Sequence, residues 1–242
     1  MAWQEKYLSR YYNPQSGFID GTTQFHSLCE KHIPRGSRIL EVGAGPSNPT
    51  SEFLSRIGEL HGVDIDPAVY ANSALRTANT IENDRYSFSD HSFDACVSDY
   101  VLEHVEYPAR HLAEVNRVLK PGGIYLFRTP NRYHYVAIIS NYTPLWFHRL
   151  IANRIRNLPR NAHAPYPTFY RFNDQRTVTA AAQKIGMEIV EFHLVEKEPM
   201  YGMSSRLMFL LFMGYERAVN SSEQLRSFRS NIFAALRTLH SQ

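Results

Sequence analysis

An acidic residue beside a glycine turn is the feature of this 242-residue sequence that could do chemistry. The run 38–42, Arg-Ile-Leu-Glu-Val, predicts a short buried strand. Gly43 and Gly45 follow it at once, where a chain must turn sharply or let a ligand approach its backbone. Glu41 places a carboxylate at this turn. That charge would repel a pyrophosphate, but it suits a ligand that carries a cationic amino group and no phosphate.

A second carboxylate follows the next predicted strand, residues 60–63. Asp64 ends that strand, close to the ~20 residues after the turn at which an acid contacts the ribose of a bound nucleoside. A carboxylate there can accept hydrogen bonds from both ribose hydroxyls. Asn48 occupies the place of the third glycine in the dinucleotide fingerprint G-x-G-x-x-G, so the turn indicates a different nucleotide. With Pro49, Asn48 instead predicts the start of a helix.

Four stretches follow one another at intervals typical of one enzyme family. Residues 41–45 read Glu-Val-Gly-Ala-Gly, residues 87–94 read S-F-S-D-H-S-F-D, and residues 101–105 read V-L-E-H-V. Residues 117–123 read R-V-L-K-P-G-G, the most specific string in the chain. Together they resemble the class I S-adenosylmethionine-dependent methyltransferases, whose motifs are E/D-x-G-x-G, P-F-x-D-x-S-F-D, V-L-x-H-V and R-V-L-K-P-G-G.

The resemblance implies an α/β fold, a Rossmann-like, doubly wound, mostly parallel sheet with a helical cap insertion and C-terminal helices. We expect a single methyltransferase domain over residues 1–242. Its parts would be a cofactor-binding half (1–130), a cap insertion (131–170), and the end of the core with the C-terminal helices (171–242).

Apolar periodicity predicts the elements of the last part of the chain. Asn173 or Asp174 begins a helix, and residues 188–195 alternate as a strand. Residues 204–219 and 222–240 predict two more helices. Because the first of these two is apolar on nearly every side, we expect it in the core, with a surface touching a membrane or a second subunit as the alternative.

The resemblance also assigns a cofactor, S-adenosylmethionine, and no metal. Asp64 would hold the ribose and Ile65 would press on the adenine. The match is weakest at the third strand, so the contact to the adenine amino group stays open among Glu82, Asn83 and Asp84. The residues expected to bind the cofactor are Glu41, Gly43, Ala44, Gly45, Asp64, Ile65, Glu82, Asn83 and Asp99.

Acceptor binding is expected in the segment after the fifth strand, which is rich in aromatic residues, His and Arg. Such residues suit a planar, anionic or sugar-like small molecule. A general base helps when the nucleophile is a hydroxyl, and either His104 or His134 could accept its proton near neutral pH. The residues expected to bind the acceptor are Tyr133, His163, Tyr170 and Arg171.

Composition limits the partners. The formal net charge of +3 is too small to argue for nucleic acid. Cys29 and Cys96 are isolated, which indicates reduced core residues in a cytoplasmic protein. A homodimer is compatible with the sequence, which does not decide the oligomeric state.

Two other functions compete with methyl transfer. One is a Rossmann-like oxidoreductase that uses NAD(P), against which Asn48 and Glu41 argue. The other is a catalytically silent subunit with the methyltransferase fold that binds a partner through the C-terminal helices. Turnover would separate that subunit from an enzyme, whereas cofactor binding would not.

Overall fold

A computed structural model describes residues 3–142, 166–199 and 205–239. The seven strands within these ranges are β1 (Ser37–Val42), β2 (Gly58–Asp64), β3 (Thr77–Thr80), β4 (Phe93–Asp99), β5 (Leu119–Pro130), β6 (Met187–Val195) and β7 (Asn231–Thr238). They form one sheet in the order β3-β2-β1-β4-β5-β7-β6. The pairs β2·β3, β1·β2, β1·β4 and β4·β5 are parallel. Strand order reverses between β1 and β4, and ligands of open α/β sheets bind at the carboxyl ends of the strands at such a point.

The helices of the described ranges are α1 (Trp3–Tyr11), α2 (Gly21–His32), α3 (Pro49–Ile57), α4 (Pro108–Val118), α5 (Tyr135–Tyr142), α6 (Gln175–Lys184) and α7 (Arg206–Ser221). Two predicted helix starts are confirmed. Asn48 caps α3, because its side chain accepts from the N–H groups of Thr50 and Ser51 at 2.9 and 3.0 Å. Asp174 caps α6 by accepting from the N–H of Thr177 at 2.9 Å.

The chain divides into two compact units. The first comprises Met1–Gln24, Asn131–Tyr166 and Leu194–Asn231, and the second comprises the remaining segments, which carry most of the sheet. The expected cap, residues 131–170, overlaps the first unit up to Tyr166. That unit also contains Met1–Gln24 and Leu194–Asn231, which are distant in sequence. The sequence pattern does not separate these segments from the rest of the chain.

The predicted helix at 222–240 is wrong. A short 3-10 helix, Glu223–Phe228, is followed there by strand β7. Ile232 and Leu236 are buried as expected. However, almost every residue of β7 is buried on both faces of the sheet, so its apolar residues show no period-2 alternation. The run Ile-Phe-Ala-Ala-Leu therefore imitates a buried helix.

The helix predicted at 204–219 is confirmed as α7, but its expected core position is not. Phe209 is fully buried, whereas Leu207 and Leu211 are 68% and 59% exposed. The apolar face of α7 is thus partly open to solvent. No helix in the described part of the chain is long and apolar enough to cross a membrane.

The string R-V-L-K-P-G-G spans the end of α4 and the start of β5. Arg117, in the last turn of α4, donates to the backbone carbonyls of Phe88 (2.8 Å) and Tyr86 (3.1 Å) and to the carboxylate of Asp90 (2.6 Å). Gly122 has a φ of +77°, which favours glycine in the turn. The motif therefore fixes the loop before β4 and the path of the chain through β5.

Candidate functional site

The loop after β1 approaches its neighbours closely. The N–H of Gly43 donates to the carbonyl of Val63 at 2.8 Å, and Gly43 has a φ of +77°. A Cβ added at Gly43 would overlap the Cγ2 of Val101, which follows β4. Gly45 also has a positive φ, +50°. The turn therefore requires glycine both for its backbone conformation and for its clearance.

Asp64, at the end of β2, holds this turn. Its Oδ2 accepts from the N–H of Gly45 and its Oδ1 from the N–H of Asp66, both at 2.8 Å. A carboxylate has about four acceptor sites, so these two bonds orient the group and leave capacity for two ligand hydroxyls. Ile65, expected to contact the adenine, follows directly and is 65% exposed.

Glu41 is buried below the turn, with 2% of its surface exposed. The hydroxyl of Ser51 donates to its Oε2 at 2.6 Å, and Asn48 and Asn72 each donate to that hydroxyl. Burial raises the pKa of Glu41 to about 8, and the nearby negative charges of Asp99 and Asp64 add to this rise although the Ser51 hydroxyl opposes it. A cation placed beside Glu41 would reverse this rise and favour the ionised form.

Asp99, at the end of β4, is already neutralised. Arg128 of β5 forms an ion pair with it, with 2.9 Å between Nη2 and Oδ2, and the hydroxyl of Thr50 donates to the same oxygen at 2.6 Å. The guanidinium of Arg128 also lies 4.7 Å from the ring centroid of Tyr100. Asp99 therefore shapes the base of the site, Asp64 gives it a negative charge, and Glu41 adds a carboxyl group that a nearby cation would ionise.

This set of groups fits S-adenosylmethionine. The ribose diol matches the remaining acceptor capacity of Asp64, and the cationic sulfonium and amino groups match the anionic surroundings of Glu41. A pyrophosphate does not fit, because it would meet carboxylates at the glycine turn. Ala44 is buried in the turn, and its carbonyl accepts from Asn48 at 2.8 Å, so its contribution would be backbone shape.

The three candidates for the adenine amino group lie in a tight hairpin after β3. Asn83 and Asp84 both have positive φ, +52° and +59°, and Glu82 forms an isolated bridge with Arg85. All three candidates are exposed. The choice among them stays open.

His104 ends a short 3-10 helix, Leu102–His104, that follows β4. Its Nδ1 lies 2.8 Å from the carbonyl oxygen of Pro167. A carbonyl only accepts, so Nδ1 carries the proton and Nε2 holds the lone pair of the neutral imidazole. Nε2 is thus the nitrogen that could accept a proton. It lies 4.0 Å from Oε1 of Glu103, a residue that the sequence interpretation did not single out.

Two expected acceptor residues lie in the same region. The N–H of Tyr170 is 3.3 Å from the carbonyl of Glu103, and Arg171 donates to the carbonyl of Glu106 at 2.7 Å. Tyr170 is 9% exposed, whereas Arg171 is exposed. The structure therefore brings both residues to the loop that carries His104.

His134 and Tyr133 belong to the first compact unit. His134 is 4% exposed, and within the described residues its Nε2 has no hydrogen-bond partner. Burial lowers its pKa to about 4, which makes it a weak base, and its ring packs against Tyr135 with 4.1 Å between centroids. This placement favours a packing role. Tyr133 is 50% exposed. His163 lies outside the described residues, as do the other aromatic and arginine residues at 143–165 that we expect to contact the acceptor.

Comparisons with known proteins agree with this geometry. Residues 40–127 match a family model described as a methyltransferase domain. A ubiquinone biosynthesis O-methyltransferase of Nitrosococcus oceani is 30% identical over 168 residues, 64% of this chain. The chain spans 64% of the length of that relative, which is less than two thirds.

Solved structures show the fold. An S-adenosylmethionine-dependent methyltransferase of Methanosarcina mazei superposes with a TM-score of 0.56 at 16% identity, over 88% of this chain and 98% of that one. The [4+2]-cyclase SpnF superposes with a TM-score of 0.58 at 15% identity, over 98% and 95%. Since a methyltransferase and a cyclase share this architecture, the fold by itself does not determine the reaction.

We predict that Asp64→Ala weakens binding of S-adenosylmethionine by roughly 30-fold or more. The substitution removes a charged acceptor of two ribose hydrogen bonds, which together contribute on the order of 2–4 kcal/mol to binding. A loss of ~1.4 kcal/mol raises the dissociation constant tenfold. Titration calorimetry measures the affinity. Asp66→Ala is the matched control, because Asp66 caps the helix after β2 by accepting from Ala68 at 2.8 Å. Equal affinities for Asp64→Ala and the wild type would contradict the assignment.

We also predict a pH-dependent effect of Glu41→Gln on stability. The pKa of Glu41 is about 8 in the folded chain and ~4.3 in an unfolded one. Below the unfolded value both states are protonated. Between the two values the unfolded chain binds fewer protons than the folded one, so the wild type loses stability as the pH rises until the folded value is passed.

Glu41→Gln lacks this loss. The difference in free energy of unfolding between Glu41→Gln and the wild type, both without cofactor, should therefore shift in favour of the variant by about 1 kcal/mol or more from pH 5 to pH 8.5. Urea unfolding at several pH values measures the difference, and Glu52→Gln, on the exposed side of α3, is the control. A difference between variant and wild type that is the same at every pH would show that Glu41 does not titrate as described.

Proposed function

We propose that this chain transfers a methyl group from S-adenosylmethionine to a small-molecule acceptor, because its residues 40–127 form a class I S-adenosylmethionine-dependent methyltransferase domain. The observation that carries the proposal is the pairing of a glycine turn with two carboxylates. Gly45 and Asp64 are joined by a hydrogen bond of 2.8 Å, and Glu41 is buried beneath them. This arrangement combines a diol-binding acid with an environment suited to a cation.

The residues of the site would divide the binding work. Asp64 would hold the ribose, Glu41 would favour the cationic end, and the turn 43–45 would let the cofactor approach the backbone. When bound, S-adenosylmethionine supplies a methyl group on a positively charged sulfur, so the new bond to the acceptor forms as the carbon–sulfur bond breaks and its electron pair stays on sulfur. The protein must then orient the nucleophile, exclude water and remove a proton.

His104 is our choice for the group that accepts that proton. Its Nδ1 is held by the Pro167 carbonyl, which leaves the lone pair on Nε2. A proton acceptor of this kind suits an oxygen nucleophile, and the relative from N. oceani is named as an O-methyltransferase. Tyr170 and Arg171 lie beside the loop that carries His104, and we assign them the contact to a planar or anionic acceptor. Tyr133 and His163 remain further acceptor candidates.

The nature of the acceptor is proposed from the net charge of the chain. A net charge of +3 is small for a broad phosphate-binding surface, so a nucleic acid is not our choice. A sugar-like, lipid-linked or aromatic hydroxyl compound each fits the proposal. The buried, unpaired Cys29 and Cys96 are consistent with a cytoplasmic protein.

A transfer assay tests the function. Purified protein with methyl-labelled S-adenosylmethionine should label one of four pools: polar small molecules, saccharides, lipids or quinone precursors. Gly43→Ala should abolish the label, since the added Cβ would overlap Val101. Gly214→Ala is the matched control, because nothing lies within 4 Å of an added Cβ in α7.

Two other outcomes of the transfer assay would contradict the proposal. Label that enters protein or nucleic acid but no small-molecule pool would contradict the proposed acceptor. Cofactor binding without label in any pool would favour the silent subunit or a different reaction on this fold.

A further inference from the structure

Glu103 is a buried carboxyl group that the binding of the cofactor does not explain. It lies in the 3-10 helix after β4 and is 5% exposed. Burying a carboxyl group is costly unless its oxygens are satisfied. Its side-chain partner is the hydroxyl of Thr129, near the end of β5, and Asn173, just before α6, donates in turn to that hydroxyl.

The direction of these hydrogen bonds is fixed at Asn173. Its side-chain Nδ2 donates to the carbonyl of Pro130 at 2.8 Å, and a carbonyl only accepts. The same Nδ2 donates to the hydroxyl oxygen of Thr129 at 2.6 Å. The single proton of that hydroxyl therefore points onward, to Oε2 of Glu103 at 3.0 Å. Oε2 is thus an acceptor, so a proton on Glu103 must reside on the other oxygen, Oε1.

The oxygen Oε1 faces His104. It lies 4.0 Å from Nε2, which holds the lone pair because Nδ1 donates to Pro167. Oε1 therefore lies at ion-pair distance from the nitrogen that would gain a proton, and both groups are oriented by a hydrogen bond on their far side. Burial raises the pKa of Glu103 to about 7, which places its titration near that of an imidazole.

We propose that Glu103 and His104 act as one acid–base pair, in which Glu103 is a positioning residue that holds and stabilises the imidazolium formed at His104. This inference rests on the proposed function. The acceptor's hydroxyl proton passes to Nε2 of His104 as its oxygen bonds to the methyl carbon, and the ionised Oε1 of Glu103 faces the resulting charge. The proton then leaves to solvent, which restores the neutral imidazole.

Other charged groups surround the pair. Asp99 at the end of β4 raises the pKa of Glu103 further and is itself paired with Arg128 of β5. Glu106 and Arg171 are exposed, and Arg171 donates to the Glu106 backbone. Since these groups are unchanged by a substitution at Glu103, a comparison of variants isolates the pair.

The first test needs no acceptor and no turnover. Imidazole resonances of selectively labelled protein are titrated by NMR, and Glu103→Gln is compared with the wild type. Gln keeps the acceptor for Thr129 but carries no charge, so the pKa of His104 should fall by about one unit, a tenfold weaker base. Glu106→Gln, an exposed carboxylate three residues later, should leave the His104 titration unchanged. An unshifted His104 in Glu103→Gln would overturn the pairing, whether or not the chain is a methyltransferase.

The second test uses methyl-labelled S-adenosylmethionine and the small-molecule pool that accepts its label. Glu103→Gln should lower kcat by roughly 10–100-fold, move the acid limb of the pH–rate profile to lower pH, and leave the KM for S-adenosylmethionine unchanged. Thr129→Val, which removes the donor to Oε2 and with it the acceptor for Asn173, should shift the profile in part, whereas Thr129→Ser, which keeps the hydroxyl, should retain the wild-type profile. A wild-type pH profile in Glu103→Gln would refute the proposal while leaving the methyltransferase function intact.

Discussion

One carboxylate holds the cofactor loop in shape. Asp64 accepts from Gly45 on one side and from Asp66 on the other, so the end of β2 and the turn after β1 are tied through a single side chain. The remaining acceptor capacity of that same side chain is what a ribose would use. Loop geometry and the proposed ribose contact therefore depend on one group. Gly43 is needed because an added Cβ would overlap Val101, and Gly45 because its φ is +50°.

Parallel pairing explains why the acidic groups converge. β1, β2 and β4 are adjacent and parallel, so Glu41, Asp64 and Asp99 all lie at the carboxyl edge of the sheet. Among the described residues, Asp99 is the one of these three with a buried cationic partner, Arg128. Burial raises the pKa of the Glu41 carboxyl group in the chain alone, and a cationic ligand would relieve that cost. This electrostatic preference, more than the fold, distinguishes the site from one for a phosphate-bearing cofactor.

The sequence could predict the features that depend on neighbours in the chain. The strand and turn at 38–45, the cap at Asn48 and the acid at Asp64 depend on short-range pattern and were all visible. Strand β7 was not, because a strand buried on both faces loses its alternation. Glu103 was also missed, since its partner Thr129 lies 26 residues along the chain, Asn173, which orients Thr129, lies further still, and position 103 is the unspecified one in V-L-x-H-V. His134 looked equivalent to His104 in the sequence, and only its burial separates the two.

The central claim, that the anionic turn binds S-adenosylmethionine, is tested most directly by comparing two cofactors in one calorimetric titration series. The account predicts that the purified chain binds S-adenosylmethionine or its demethylated product and shows no measurable heat of binding with NAD. Tighter binding of NAD would contradict it, because a pyrophosphate would then be accommodated beside Glu41 and Asp64.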